Sequence, residues 1–177
     1  MSRPEPVDSD HRTGPLVVVT GVSGSGKTTI GKSLARRLGV MYAEGDVFHP
    51  PQNVEKMRVG TPLSDADRRP WLDAISAWLA ERSAQGGVIT CSALKRQYRD
   101  RLASVSPRVF FVHLHGPAQL IADRMAARSG HFMPVSLLQS QLDTLEPLSP
   151  EEHGVQVSID GPPAETTTLA LAALRAQ

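Results

Sequence analysis

The sequence predicts an α/β fold, a five-stranded parallel sheet with helices on both faces. Three observations predict it. Short apolar runs rich in β-branched residues alternate with segments of helical periodicity, so successive strands need crossovers and pair in parallel. A glycine-rich stretch, "GVSGSGKT" at 21–28, joins the first run to the first helical segment. The chain of 177 residues suffices for one domain with a full core but not for two comfortable ones.

The elements follow in order. "PLVVVT" (15–20) reads as a buried strand, and 28–39 as a helix with Ile30, Leu34 and Leu38 on one face and Gly39 as its stop. "VMYAEGD" (40–46) is a second strand ending on an acid, and 52–59 is helical. A longer helix spans 65–83, with Trp71, Ile75, Trp78 and Leu79 on one face and Pro70 expected in its first turn. The third strand is 86–93, a short basic helix is 95–104, and the fourth strand is 108–116. Helices at 117–130 and 135–146, a strand at 154–160 and a closing helix at 164–176 complete the pattern. Residues 1–14, rich in Pro, Asp and Ser, are expected to form a flexible tail, leaving 15–177 as the domain.

Composition excludes several functions. A net charge of +1 with dispersed Lys and Arg gives no footprint for nucleic acid or an acidic membrane. No apolar run approaches the ~20 residues of a membrane span. The single cysteine, Cys91, cannot form an internal disulfide, and its place in "GVITC" marks it as a small buried hydrophobe. A cytoplasmic protein is expected. The six histidines are scattered, without zinc or iron spacing.

The glycine-rich stretch fits G-x-x-x-x-G-K-[ST] through Gly21, Gly26, Lys27 and Thr28. Small residues let successive N–H groups turn toward an anion, and the following helix adds the positive end of its dipole. Lys27 would then reach β- and γ-phosphates, and Thr28 would ligate Mg²⁺. A strand before and a helix after it favour this over a glycine turn that binds nothing.

In a parallel sheet the ligand lies beyond the carboxyl ends of the strands, so residues there are the next candidates. Asp46 could orient a substrate hydroxyl or take its proton, or merely cap a loop; His49 could bind substrate or serve as a structural hydrogen bonder. Among Lys56, Arg58, Arg68 and Arg69, one or two could receive an anionic substrate group. Lys95 opens a helix whose dipole opposes a cation, a mild sign that it is kept for an anion. Arg124, Arg128 and His131 follow one helix face into "RSGHFMP", which suits a phosphate-clamping lid at about 128–135; the alternative is a solvated basic face.

Together "GVSGSGKTT", "GDVFHPPQNVEKM", "GTPLSDADRRPWL", "CSALKRQYRDRL" and "RSGHFM…LLQSQLDTLE" resemble the small P-loop gluconokinases, over about Leu16 to Asp160. One departure, Ala103 where many members carry arginine, touches nothing catalytic. The resemblance implies the three-layer P-loop kinase fold of shikimate and nucleoside monophosphate kinases, with a small mobile lid and substrate-binding helices. It implies transfer of the ATP γ-phosphoryl to the 6-hydroxyl of D-gluconate, with Mg²⁺, and related enzymes are commonly homodimers. By matching motif, Gly21, Ser23, Gly24, Ser25, Gly26, Lys27, Thr28 and Thr29 would form the nucleotide site with Arg124 and Pro162. Lys27, Asp46 and Arg128 would be catalytic; Asp46, His49, Lys56, Arg68, Lys95 and His131 would contact the substrate. The competing readings are a kinase for another small acid, shikimate above all, and a non-catalytic nucleotide switch. Against shikimate, the second strand ends in Glu44-Gly45-Asp46 rather than a D-x-D pair.

Overall fold

The computed structural model describes residues 14–127 and 136–177. The expected N-terminal tail, apart from Gly14, and the lid segment, with Arg128 and His131, lie outside the described residues.

Strands β1 (Leu16–Thr20), β2 (Met41–Glu44), β3 (Gly87–Thr90), β4 (Val109–His115) and β5 (Gly154–Ser158) form one sheet in the order β2-β3-β1-β4-β5. Every pairing is parallel, with Leu16 opposite both Gly87 and Val109. The helices are α1 (Lys27–Leu38), α2 (Pro51–Arg58), α3 (Asp65–Glu81), α4 (Arg96–Ala103), α5 (Ala118–Ala126), α6 (Ser136–Thr144) and α7 (Pro163–Arg175). The five strands and seven helices of the described residues correspond to the sequence reading with ends shifted by a few residues, while the expected end of the 117–130 helix lies outside the described residues.

The alternation of β1 builds both layers of core. Val17 and Val19 pack with Leu34, Ile121, Leu138 and Leu171 from the α1, α5, α6 and α7 side. Leu16 and Val18 face the other way, against Trp71, Ile75 and Leu79 of α3 and Leu102 of α4. Each such side chain stabilises the fold by roughly 1.5–3 kcal/mol on burial. No described helix is long and apolar enough to cross a membrane.

Two local expectations are corrected. The second strand stops at Glu44, and Gly45–Phe48 form a 3₁₀ turn that carries Asp46. A Cβ on Gly45 would lie 1.9 Å from the Thr90 carbonyl oxygen, so only glycine lets β2 turn away there. Pro70 lies inside α3 rather than in its first turn. Ser64 starts that helix with a capping box: its hydroxyl accepts from the Asp67 amide while the Asp67 carboxylate accepts from the Ser64 amide. Pro70 therefore removes one helical hydrogen bond from a segment held by its cap and by the buried Trp71.

Candidate active site

The phosphate loop leaves β1 and ends at Gly26, whose left-handed backbone (φ 92°) opens α1 without any side-chain cap. Helix amides that are normally capped thus face the loop, which suits a bound anion. Gly24 is also left-handed (φ 81°), and a Cβ there would meet Met125 Cγ at 2.6 Å, so its small size seats the loop against α5. The Ser25 hydroxyl is buried with no hydrogen-bond partner among the described residues.

The loop divides two clefts. On one side Gly24, Ser25, Gly26 and Thr29 line a groove with Arg124, Ala127, Ile159, Gly161 and Pro163. Arg124 is fixed there by donating to the Ile159 carbonyl at 2.9 Å. Pro162 is not among the lining residues; it caps α7, and its neighbours Gly161 and Pro163 form the wall instead.

On the other side Ser23 and Lys27 share a cleft with Asp46, His49, Arg68, Trp71, Ser92 and Gln141. The Lys27 ammonium donates to the Val22 carbonyl at 2.9 Å, folded back over its own loop. The Arg68 guanidinium donates to the Leu63 carbonyl at 2.5 Å and lies 5.7 Å from the Tyr98 ring centroid. The His49 ring stacks on Trp71, whose indole N–H donates to the Gly45 carbonyl at 2.8 Å. Burial and the nearby Arg68 charge lower the His49 pKa to about 4, and its Nδ1 is buried without a partner among the described residues. A neutral imidazole with one unsatisfied nitrogen suits a ligand hydroxyl.

Two predicted substrate contacts are not brought into this wall. Lys56 pairs with Asp67 at 2.8 Å and Lys95 with Asp65 at 2.8 Å, both at the start of α3. Neither lysine is among the residues lining the cleft. Gly21 lies at the head of the loop, where a Cβ would meet Ser25 Oγ at 2.7 Å.

Sequence reasoning missed Glu44. Thr28 donates its hydroxyl proton to Glu44 Oε2 at 2.7 Å, Tyr42 donates to the same oxygen at 2.6 Å, and Thr90 donates to Oε1. Burial alone would raise the Glu44 pKa. The bonds from Thr90, Tyr42 and Thr28, with the Lys27 charge, outweigh it and hold the carboxyl below its ordinary value. The only sequence signal for Glu44 is an acid ending a strand, and Asp46 two residues later carries the same signal. Gln141 was also missed, because one glutamine on an amphipathic helix carries no local signature.

The sequence compares closely with known proteins. A family profile described as an AAA domain matches residues 17–133. A gluconokinase from Gluconobacter oxydans is 52% identical over 145 residues, covering 81% of this chain and 82% of that one. The chain belongs to the gluconokinase family. The thermosensitive gluconokinase of Escherichia coli is 44% identical, covering 87% of this chain and 84% of its own. The crystal structure of a gluconokinase from Sinorhizobium meliloti superposes with a TM-score of 0.86 at 49% identity, covering 93% of this chain and 94% of that one. This member of the gluconokinases is therefore a kinase with a P-loop fold. The phosphate loop separates its two clefts, with Ser23 and Lys27 lining one and Gly24, Ser25 and Gly26 lining the other.

Proposed function

We propose that this gluconokinase homologue transfers the ATP γ-phosphoryl group to the 6-hydroxyl of D-gluconate, giving 6-phospho-D-gluconate and ADP. One observation carries the assignment of parts: the loop borders a nucleotide-side groove through Gly24–Gly26 and an acceptor-side cleft through Ser23 and Lys27. A phosphoryl group seated on the loop then faces Asp46, His49 and Arg68.

In this reading the loop amides and Lys27 bind the β- and γ-phosphates, and Arg124 borders the base. Asp46 orients the 6-hydroxyl and accepts its proton as the new O–P bond forms and the bond to ADP breaks. Arg68 pairs with the gluconate carboxylate, and His49 Nδ1 meets a chain hydroxyl. Lys56, Lys95 and His131 stay secondary candidates for the substrate. Arg128 neutralises charge on the moving phosphoryl, with residues 128–135 as the lid of a single domain spanning 15–177. A homodimer is the assembly the resemblance implies, and the single cysteine fits a cytoplasmic location.

Magnesium fits the residues present. Thr28 gives its proton to Glu44, so its oxygen lone pairs are left to accept a cation, with a carboxylate behind them. Bound there, Mg²⁺ would screen the phosphate charge that the loop alone does not neutralise.

An ADP-release screen over gluconate, other aldonates, shikimate and nucleoside monophosphates tests the reading. Gluconate should accelerate ADP release far more than the rest. Acceleration by shikimate instead, or slow release indifferent to every acceptor, would refute it.

A further inference from the structure

The Ser23 amide donates to the side-chain oxygen of Gln141 at 2.6 Å, joining residues 118 positions apart in sequence. Ser23 belongs to the acceptor-side end of the phosphate loop, whereas Gly24, Ser25 and Gly26 border the nucleotide groove. Of the phosphates of a bound nucleotide, only the γ-phosphoryl must reach from one cleft to the other. An amide of the phosphate loop at that junction is thus held by a neutral oxygen of the protein's own.

Gln141 is held firmly enough for such a role. Leu137, Ser140 and Gln141 stand at helical spacing on α6 and line the same cleft. Just past α6, the Glu146 amide donates to the Leu94 carbonyl at 2.8 Å, and Arg99 donates to the Glu146 carbonyl at 3.0 Å. Arg99 is itself buried and paired with Glu152 at 2.6 Å. The helix end is therefore bound to the β3–α4 connection, which supplies Ser92 and Leu94 to the cleft.

The residue type matters. An apolar side chain would leave the part-buried Ser23 N–H without its acceptor. A carboxylate would bind the amide more strongly and repel an incoming phosphate. A carboxamide satisfies the amide without charge and can be displaced.

We propose that Gln141 is a positioning residue for phosphoryl transfer, holding the Ser23 amide until a γ-phosphoryl oxygen takes its place. Its acceptor rests on the gluconate reading, but the exchange itself involves only nucleotide. Nucleotide with a γ-phosphoryl group must displace the glutamine, and ADP need not.

Calorimetric titration of the wild type, Q141E and Q141L with ADP and with a non-hydrolysable ATP analogue, both with Mg²⁺ and without gluconate, tests this. For Q141E the analogue should lose at least tenfold in affinity while ADP changes less than threefold. For Q141L the analogue should tighten relative to ADP, because the competitor is gone. A helix that only buttresses the loop would move both nucleotides together. Equal shifts for the two ligands in both variants, or no shift in either, would overturn the proposal. If Q141E does not fold, the ratio in Q141L decides alone. Because gluconate is omitted, these outcomes are independent of which acceptor the enzyme uses.

Discussion

The imidazole of His49 lies flat on the indole of Trp71, with ring centroids 4.4 Å apart and planes inclined by 11°. The stack presents a buried, neutral Nδ1 that has no hydrogen-bond partner among the described residues. His49→Phe keeps the stack and deletes the nitrogen. A lost hydrogen bond of about 1–1.5 kcal/mol predicts a roughly tenfold rise in the gluconate KM, with the ATP KM and Tm little changed. Wild-type gluconate kinetics in this variant would leave His49 with a packing role only.

Arg68 and Lys95 should separate in a similar experiment. Arg68 lines the cleft, and losing a charge-assisted bond worth about 1.5–3 kcal/mol raises the gluconate KM some ten- to hundredfold in Arg68→Ala. Lys95 pairs with Asp65 at 2.8 Å away from that wall, and Lys95→Ala should change the same constant less than about threefold. Steady-state kinetics with each substrate varied in turn distinguish them, and the reverse ranking would move the carboxylate site to α4.

Glu44 holds the Thr28 hydroxyl at 2.7 Å and so fixes which way its lone pairs face. In Glu44→Gln the amide can donate as well as accept, and Thr28 loses its assured acceptor. The Mg²⁺ concentration for half-maximal rate should rise at least fivefold, while the gluconate KM stays within a factor of two. An unchanged Mg²⁺ requirement would remove Glu44 from the metal's support.

Acid should destabilise the fold through His113. It shares a hydrogen bond of 2.9 Å with Thr20 inside the core, and burial, with the Arg99 and His115 charges, lowers its pKa to about 4. The folded pKa lies below the unfolded value of about 6.5. The neutral ring therefore supports stability fully above that pH, and the contribution is lost as pH falls toward 4. The loss amounts to about 3 kcal/mol at most. His113→Asn keeps an acceptor for Thr20 but cannot take the proton, so its stability to urea should fall less between pH 7 and pH 5. Parallel slopes for variant and wild type would contradict this.

Much of the scaffold could be read from the sequence because each signal was local. The loop showed in three glycines between an apolar run and a helical repeat, and β1 showed in "LVVV", whose alternation feeds both core layers. Asp46, His49 and Arg68 were legible because strand ends and motif spacing place residues at the cleft. What was not legible depends on pairings across the fold. Nothing near Lys95 in sequence reveals Asp65, and nothing near Arg99 reveals Glu152, which turns a helix cation into a buried strut. The turn at Gly45 required knowing that the Thr90 carbonyl would crowd any Cβ there. Gln141 was silent because its partner is a backbone amide in the phosphate loop.

The most direct measurement of the central claim is the site of phosphorylation. The purified protein is incubated with ATP, Mg²⁺ and D-gluconate, and a ³¹P–¹H correlation spectrum of the product is recorded. Phosphorus coupled to the two C6 protons, formed by the wild type and reduced by orders of magnitude with Lys27→Ala, is the predicted result. Phosphorus on another carbon, or the C6 product at an undiminished rate from Lys27→Ala, would contradict the account.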